Sequence, residues 1–178
     1  MKIGSITRTG SLGLVCGLLL VGCSTTPHRE SRPAGSPAEV AEQRTALGDE
    51  IVRNAMSLLG HPYRYGGADP AGFDCSGLVR FVFNQLGVEV PRTVTEQYRT
   101  AWPVRLADLK AGDLLFFTLD GAQISHVAIY VGDGRFVHAP QTGRPVELRT
   151  LKDKFYRSRL VGAGRLYVFS AANPIPHS

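Results

Sequence analysis

The amino-acid sequence predicts an α+β domain in which helices from the first part of the chain pack on an antiparallel sheet from the second. Three observations carry this expectation. Apolar residues recur at helical spacing as far as Leu86, short strand-like apolar runs begin at Leu114, and a Gly-Asp-Gly turn joins two such runs. A helix-first, sheet-second order favours separate layers over alternating parallel units.

The N-terminus comes first because it sets the compartment. Lys2 and Arg8 supply a positive start, and the apolar run from Leu12 to Val21 is too short to span a bilayer comfortably. Residues 1–22 therefore read as an export signal that is no part of the fold. The run ends in Leu20-Val21-Gly22-Cys23, which resembles the lipobox of bacterial lipoproteins. This resemblance implies cleavage before Cys23 and a lipid, such as palmitate, on that residue. With Ser24 rather than aspartate next, it also implies a protein anchored in the outer membrane and facing the periplasm. An ordinary cleaved signal or a short anchor helix are the alternatives.

Of the three cysteines, Cys16 leaves with the signal and Cys23 carries lipid, so Cys75 has no partner for an intramolecular disulfide. A lone thiol in an oxidising compartment is exposed to oxidation, which favours a working role. Without Lys2 and Arg8 the formal charge falls from +5 to +3, a mildly basic balance suited to anionic envelope polymers.

Residues 23–47 are poor in large apolar side chains and hold Pro27, Pro33 and Pro37, so they read as the lipidated cysteine and a flexible tether. The tether's reach is roughly 25 to 30 Å, and Ala38 to Ala46 form a short helix in an alternative reading. Gly48 opens a helical pattern through Ile51, Val52, Ala55, Met56, Leu58 and Leu59, closed by Gly60 and Pro62. The folded domain is thus predicted over 48–170, with a tail over 171–178.

A loop, Pro62-Tyr63-Arg64-Tyr65-Gly66-Gly67, leads to Gly72-Phe73-Asp74-Cys75-Ser76-Gly77, where a second helix starts. Leu78, Val79, Val82, Phe83 and Leu86 form its apolar stripe and Gly87 stops it. Cys75 in the first turn faces unpaired NH groups and the positive end of the helix dipole, which favour a nucleophilic thiolate. A buried structural cysteine is the alternative. Asp74 is suited to N-capping or to gripping a substrate amine. Arg92 offers a fork for a substrate carboxylate or belongs to a structural ion pair, and a short helix begins near Pro91 or Thr93. Tyr63 either walls a substrate site or caps a core edge.

Leu114–Phe117 reads as a buried strand, and Val146 to Leu151 and Leu160 to Val168 as two more. Between them, Ser125 to Val131 and Arg135 to Ala139 flank Gly132-Asp133-Gly134 as a hairpin. A three-residue loop would pair Val131 with Arg135 and Ala128 with His138. His126 and His138 then share one face as diagonal neighbours, roughly 7 to 8 Å apart, whereas a one-residue slip would separate them. A nucleophile needs a base, and the base needs a group that fixes its tautomer. Cys75, His126 and His138 can take those roles in that order.

Asp74-Cys75-Ser76-Gly77, Ser125-His126-Val127-Ala128-Ile129-Tyr130 and Phe136-Val137-His138-Ala139 together resemble the NlpC-type cysteine endopeptidases of peptidoglycan, over roughly Ile51 to Val168. The resemblance implies a papain-like α+β core, with Cys75 as nucleophile, His126 as base and His138 as the polar third member. It favours Tyr63 as a site residue, and Tyr63, Asp74, Ser76 and Arg92 are the candidate substrate-binding residues. It also implies amide hydrolysis in peptide stems or cross-links, at bonds of D-glutamate, diaminopimelate or D-alanine. A thiol acyltransferase with the same triad and a noncatalytic wall-peptide binder are the other classes.

The expected partners are peptidoglycan as substrate and a membrane reached through the N-terminal lipid, with the chain a monomer. No zinc-like cysteine and histidine spacing, phosphate-binding glycine loop or basic and aromatic interleaving is present. No metal, cofactor or nucleic acid is therefore expected.

Overall fold

The computed structural model describes residues 36–166. Its first helix, α1 (Pro37–Ser57), starts before the predicted opening at Gly48. Ser36 caps it reciprocally. The Ser36 hydroxyl accepts from the Glu39 NH, the Glu39 carboxylate accepts from the Ser36 NH, and Pro37 occupies the first turn where no donor is needed. The tether predicted up to Leu47 is corrected accordingly, because residues 37–47 are helical. A cap and helix-compatible residues suffice there without an apolar stripe. Only Gly48, Ile51 and Ala55 of α1 are buried, all in its second half.

Gly48 is a contact residue instead of a helix start. A Cβ at this position would lie 2.4 Å from the Ala111 carbonyl oxygen. The predicted signal, Cys23, the first part of the tether and the tail over 171–178 lie outside the described residues. Among the described residues, no helix is long and apolar enough to cross a membrane.

Beyond α1, a small antiparallel pair, β1 (Ala68–Asp69) and β2 (Gly72–Phe73), leads into α2 (Cys75–Asn84). Leu78, Val79, Val82 and Phe83 of α2 are all at most 1% exposed. Burying each contributes about 1.5–3 kcal/mol, which holds this helix, and the cysteine at its start, against the sheet. The chain leaves α2 through Gly87, whose φ of +74° is the left-handed conformation that favours glycine. Helix α3 (Val94–Thr100) follows, capped by Thr93 in a second reciprocal box with Glu96.

The remaining elements are β3 (Trp102–Val104), a 3₁₀ turn at Leu106–Asp108, β4 (Leu114–Phe117), β5 (His126–Gly132), β6 (Arg135–His138), β7 (Glu147–Thr150), α4 (Lys154–Arg157) and β8 (Leu160–Arg165). The strands form one antiparallel sheet in the order β3-β8-β4-β5-β6-β7. The predicted α+β architecture is the observed one. Strands β1, β2 and β3 and helix α4 were not legible as elements, because each has only two to four residues and no period to read.

Alternation along the strands divides the sheet into two cores. Leu114, Phe116, Val127, Ile129 and Val137 pack with the helices, while Leu115, Phe117, Ala128, Phe136 and Ala163 pack with Tyr156 on the other side. The β5–β6 hairpin differs from expectation in its turn. Asp133 and Gly134 have φ of +53° and +70°, Gly132 pairs with Arg135, and a register shift lies between Tyr130 and Gly132. The predicted Val131–Arg135 pair is therefore corrected: a two-residue turn plus a bulge replaces a three-residue loop. Both arrangements add one residue to the same strand. Ile129 still pairs with Val137, so the histidine register survives the correction.

Candidate active site

The site is assembled from two pieces of very different origin. The first is the start of α2. Asp74 is the N-cap: its Oδ1 accepts from the Gly77 NH at 2.7 Å and its Oδ2 from the Gly66 NH at 3.0 Å. Arg92 forks onto the same carboxylate, with Nη1 to Oδ1 at 3.0 Å and Nη2 to Oδ2 at 2.5 Å, and Nη1 also reaches the Ser76 hydroxyl at 2.9 Å. The expected substrate fork of Arg92 is thus engaged by Asp74 and Ser76 in this structure. Gln97, fully buried in α3, donates to the carbonyls of Ser76 and Pro91 and ties that helix to the same turn.

With Asp74 capping the Gly77 NH, the NH groups of Cys75 and Ser76 are directed at the Cys75 sulfur, where the Val127 NH of β5 joins them. These donors favour the thiolate, as the helix start predicts. Burial opposes them and prevails: together with the Asp74 charge it pushes the thiol up to about 11. The helix start thus favours the thiolate, as expected, while burial favours the thiol. Tyr63 lies in the fields of Cys75 and Asp74, and its own hydroxyl is shifted up mainly by burial and then by those charges.

The second piece is the buried histidine pair. Cys75 meets β5 at Val127, the residue after His126. From His126, Nε2 lies 2.9 Å from Nδ1 of His138, with the rings nearly perpendicular at 88°. That contact leaves Nδ1 of His126 as the ring nitrogen outside the pair. Burial holds His126 down to about 3, with His138 adding to the effect. Burial also holds His138 down to about 3, with Arg149 and Arg144 contributing. At neutral pH the resting site is therefore a thiol and two neutral imidazoles.

Sequence reasoning missed what lies behind His138. Its Nε2 faces Glu147 Oε1 at 3.2 Å and the Tyr156 hydroxyl at 3.4 Å. Glu147 stands directly opposite His138 in the β6–β7 ladder and is gripped by Arg144 and Arg149. The β6–β7 register would have exposed it, but the loop from Ala139 to Val146, although it turns at Gln141–Arg144 through Gly143, is longer than the hairpin loops whose type sets a register. Among the described residues, no group of three or more histidine, cysteine, aspartate or glutamate side chains is arranged to hold a metal ion.

The start of α2 thus brings NH donors to the Cys75 sulfur beside a cluster in which Asp74, Ser76 and Arg92 bind one another, and Tyr63 lies in the field of that sulfur. Comparison with known proteins finds relatives over the same part of the chain. The model of the NlpC/P60 family matches residues 60–165. The chain is 37% identical over 139 residues to the murein DD-endopeptidase MepH of Escherichia coli, covering 75% of this chain and 51% of that protein. It is likewise 37% identical over 134 residues to the gamma-D-glutamyl-L-lysine dipeptidyl-peptidase of Bacillus subtilis, covering 74% and 45%. The chain thus spans about half the length of these curated relatives. Among solved structures, an NlpC/P60 protein from Bacillus cereus superposes with a TM-score of 0.64 at 35% identity, covering 67% of this chain and 40% of that one. The NlpC/p60 domain of the peptidoglycan hydrolase SagA gives 0.59 at 36%, covering 66% and 97%. These likenesses bear out the expected papain-like α+β core.

Proposed function

Because the chain belongs to the NlpC/P60 family, we propose that it is a peptidoglycan endopeptidase with Cys75 as nucleophile. The observation that carries this reading is the meeting of the Cys75 sulfur with the NH of Val127, next in the strand to His126, whose Nε2 lies 2.9 Å from Nδ1 of His138. Names of relatives support the substrate class: MepH is a murein endopeptidase, and the Bacillus subtilis enzyme acts on a gamma-D-glutamyl bond.

In the proposed reaction, His126 takes the Cys75 proton on its free Nδ1 as the sulfur attacks the peptide carbonyl. Thiol and imidazole are both neutral at rest, so the transfer creates an ion pair without changing the charge of the site. NH groups around the sulfur, including that of Cys75, and the positive end of α2 stabilise the oxyanion. Collapse breaks the C–N bond, and the proton on His126 passes to the leaving amine. Water then gives a proton to His126 while attacking the thioester, and the proton returns to sulfur as the acyl group leaves.

Asp74, Ser76, Tyr63 and Arg92 form the wall that receives the stem peptide, cut at a D-glutamate or D-alanine bond to diaminopimelate. Lipidation at Cys23 would hold a monomeric enzyme at the outer membrane, within reach of the wall from the periplasm. Two experiments test the reading. Digestion of diaminopimelate-type peptidoglycan by the full chain should remove cross-linked dimers or shorten stems by mass spectrometry, and Cys75→Ala should abolish this while staying folded. An active Cys75→Ala protein removes the nucleophile. In cells, labelled palmitate should enter the wild-type chain but not Cys23→Ala; equal labelling of both would refute the anchor.

A further inference from the structure

A base in a triad of this kind works only if its proton-accepting nitrogen faces the nucleophile, so something must fix the tautomers of both rings. The two imidazoles bond to each other, and a pair of neutral rings can do so in either direction. His126 Nε2 can donate to His138 Nδ1, or the reverse. Only the first leaves His126 Nδ1 as a lone pair available to the Cys75 proton. The choice has to be made by whatever meets the far nitrogen of His138.

Two groups meet it. Glu147 Oε1 lies at 3.2 Å, within the range of an N–H···O bond, and the Tyr156 hydroxyl at 3.4 Å lies beyond it. A carboxylate only accepts. Here it already accepts from Arg144 Nη2 at both oxygens, at 2.7 and 2.8 Å, and from Arg149 Nε at 2.9 Å. If His138 Nε2 were bare, its lone pair would face a carboxylate oxygen at 3.2 Å in a buried site, two acceptors without a proton between them.

We propose that Glu147 is a positioning residue that sets the direction of the whole hydrogen-bond chain. It accepts from His138 Nε2–H, which makes His138 Nδ1 an acceptor, which makes His126 Nε2 a donor, and so leaves His126 Nδ1 bare, the lone pair that the proposed reaction needs for the Cys75 proton. The role is directional rather than one of charge. One carboxylate with two guanidinium groups is a net positive cluster, which does not favour an imidazolium at His138. The arginines fix the rotamer of Glu147. Arg144 is itself anchored to the substrate side, since its carbonyl accepts from the Tyr63 NH at 3.3 Å.

This inference rests on the proposed catalytic roles of Cys75, His126 and His138, but its test is separable from them. Long-range ¹⁵N correlation spectra of the full wild-type chain at pH 7 should show both histidines protonated at Nε2 with bare Nδ1. Protonation of His138 at Nδ1 would overturn the proposal even if the protein is a fully active hydrolase. In Glu147→Met, similar in size but without an acceptor, Nδ1–H forms should appear at both rings. Its kcat should fall roughly 10- to 100-fold with KM changed less than twofold, as for a lost orienting group rather than a lost binding contact. Glu147→Gln, which keeps an acceptor oxygen, should recover at least half of the lost activity on a logarithmic scale. Wild-type tautomers and kcat in a folded Glu147→Met protein would refute the role. Should that variant fail to fold, the wild-type spectrum still decides. Loss of all activity in Cys75→Ala with unaltered tautomers would leave the hydrolase reading standing whichever way Glu147 falls.

Discussion

The start of α2 and the buried histidine pair are held in place in opposite ways. The Asp74 carboxylate meets all its partners close in sequence or in the adjoining connections: Ser76 and Gly77 lie within three residues, Gly66 in the preceding loop, and Arg92 in the following connection. Charge is concentrated there and satisfied by charge, through a forked arginine–carboxylate pair. The histidine pair is the reverse. His126 and His138 sit 3% and 0% exposed in a largely apolar layer with Phe117, Phe136 and Tyr156, and remain neutral because burial makes their charged forms costly. The lesson is that the Cys75 end is held by satisfied charge, and the histidine end by withheld charge. Acid and steric substitutions should therefore strike the two ends differently.

Acid should give the largest effect, and it falls on the histidine pair. Both histidines are held down to about 3 in the folded protein, whereas they bind protons near pH 6.5 once unfolded. Below that pH the unfolded chain carries more protons than the native one, so stability present above 6.5 is lost as the pH falls toward 3. Each histidine contributes a slope of up to about 1.4 kcal/mol per pH unit, or roughly 5 kcal/mol for the pair between pH 6.5 and 4.5. The lowered carboxylates Asp69, Asp108, Glu39 and Glu96 act below that window. Urea unfolding at half-unit pH intervals checks this. Stability independent of pH over the window would mean that the rings are protonated in the folded state, and His138→Asn should halve the slope.

The same contrast explains what could be read from the sequence. Cys75 at a helix start, Asp74 as its cap and the shared face of the two histidines were all legible, since each depends on short-range spacing. The histidine register was predicted through a three-residue loop and is realised by a two-residue turn with a bulge, so the pairing was right for a partly wrong reason. Glu147 was not legible, because its contact with His138 depends on a loop of unread geometry. Nor was the state of the thiol. Donors at a helix start are visible in the residues, but the burial that outweighs them belongs to the packed layers. The beginning of α1 could have been found: Ser36, Pro37 and Glu39 spell a capping box, overlooked because no apolar stripe followed.

A smaller effect, on the other end of the site, comes from a single methyl group. Intrinsic propensity argues that Gly77→Ala should stabilise α2 by about 1 kcal/mol, since glycine is the poorer helix former. Packing argues the opposite. A Cβ at Gly77 would lie 1.9 Å from the Gly67 carbonyl oxygen and 3.0 Å from its carbon. That oxygen cannot move aside freely, because it accepts from the Asp74 NH at 3.0 Å, and a Cβ at Gly67 would itself lie 2.2 Å from the Gly72 oxygen. Three backbone segments are thus stacked at closest approach, and relief requires α2 to lift away from the loop that carries Tyr63. Overpacking of this kind costs about 3 kcal/mol, which outweighs the propensity gain. Urea midpoints should show a net loss of about 2 kcal/mol for Gly77→Ala, and little change for Gly162→Ala in β8, where a Cβ meets nothing within 4 Å. Equal midpoints for the two variants would mean that the cysteine end of the site yields as readily as an open strand, and that satisfied charge alone, without this backbone stack, holds it in place.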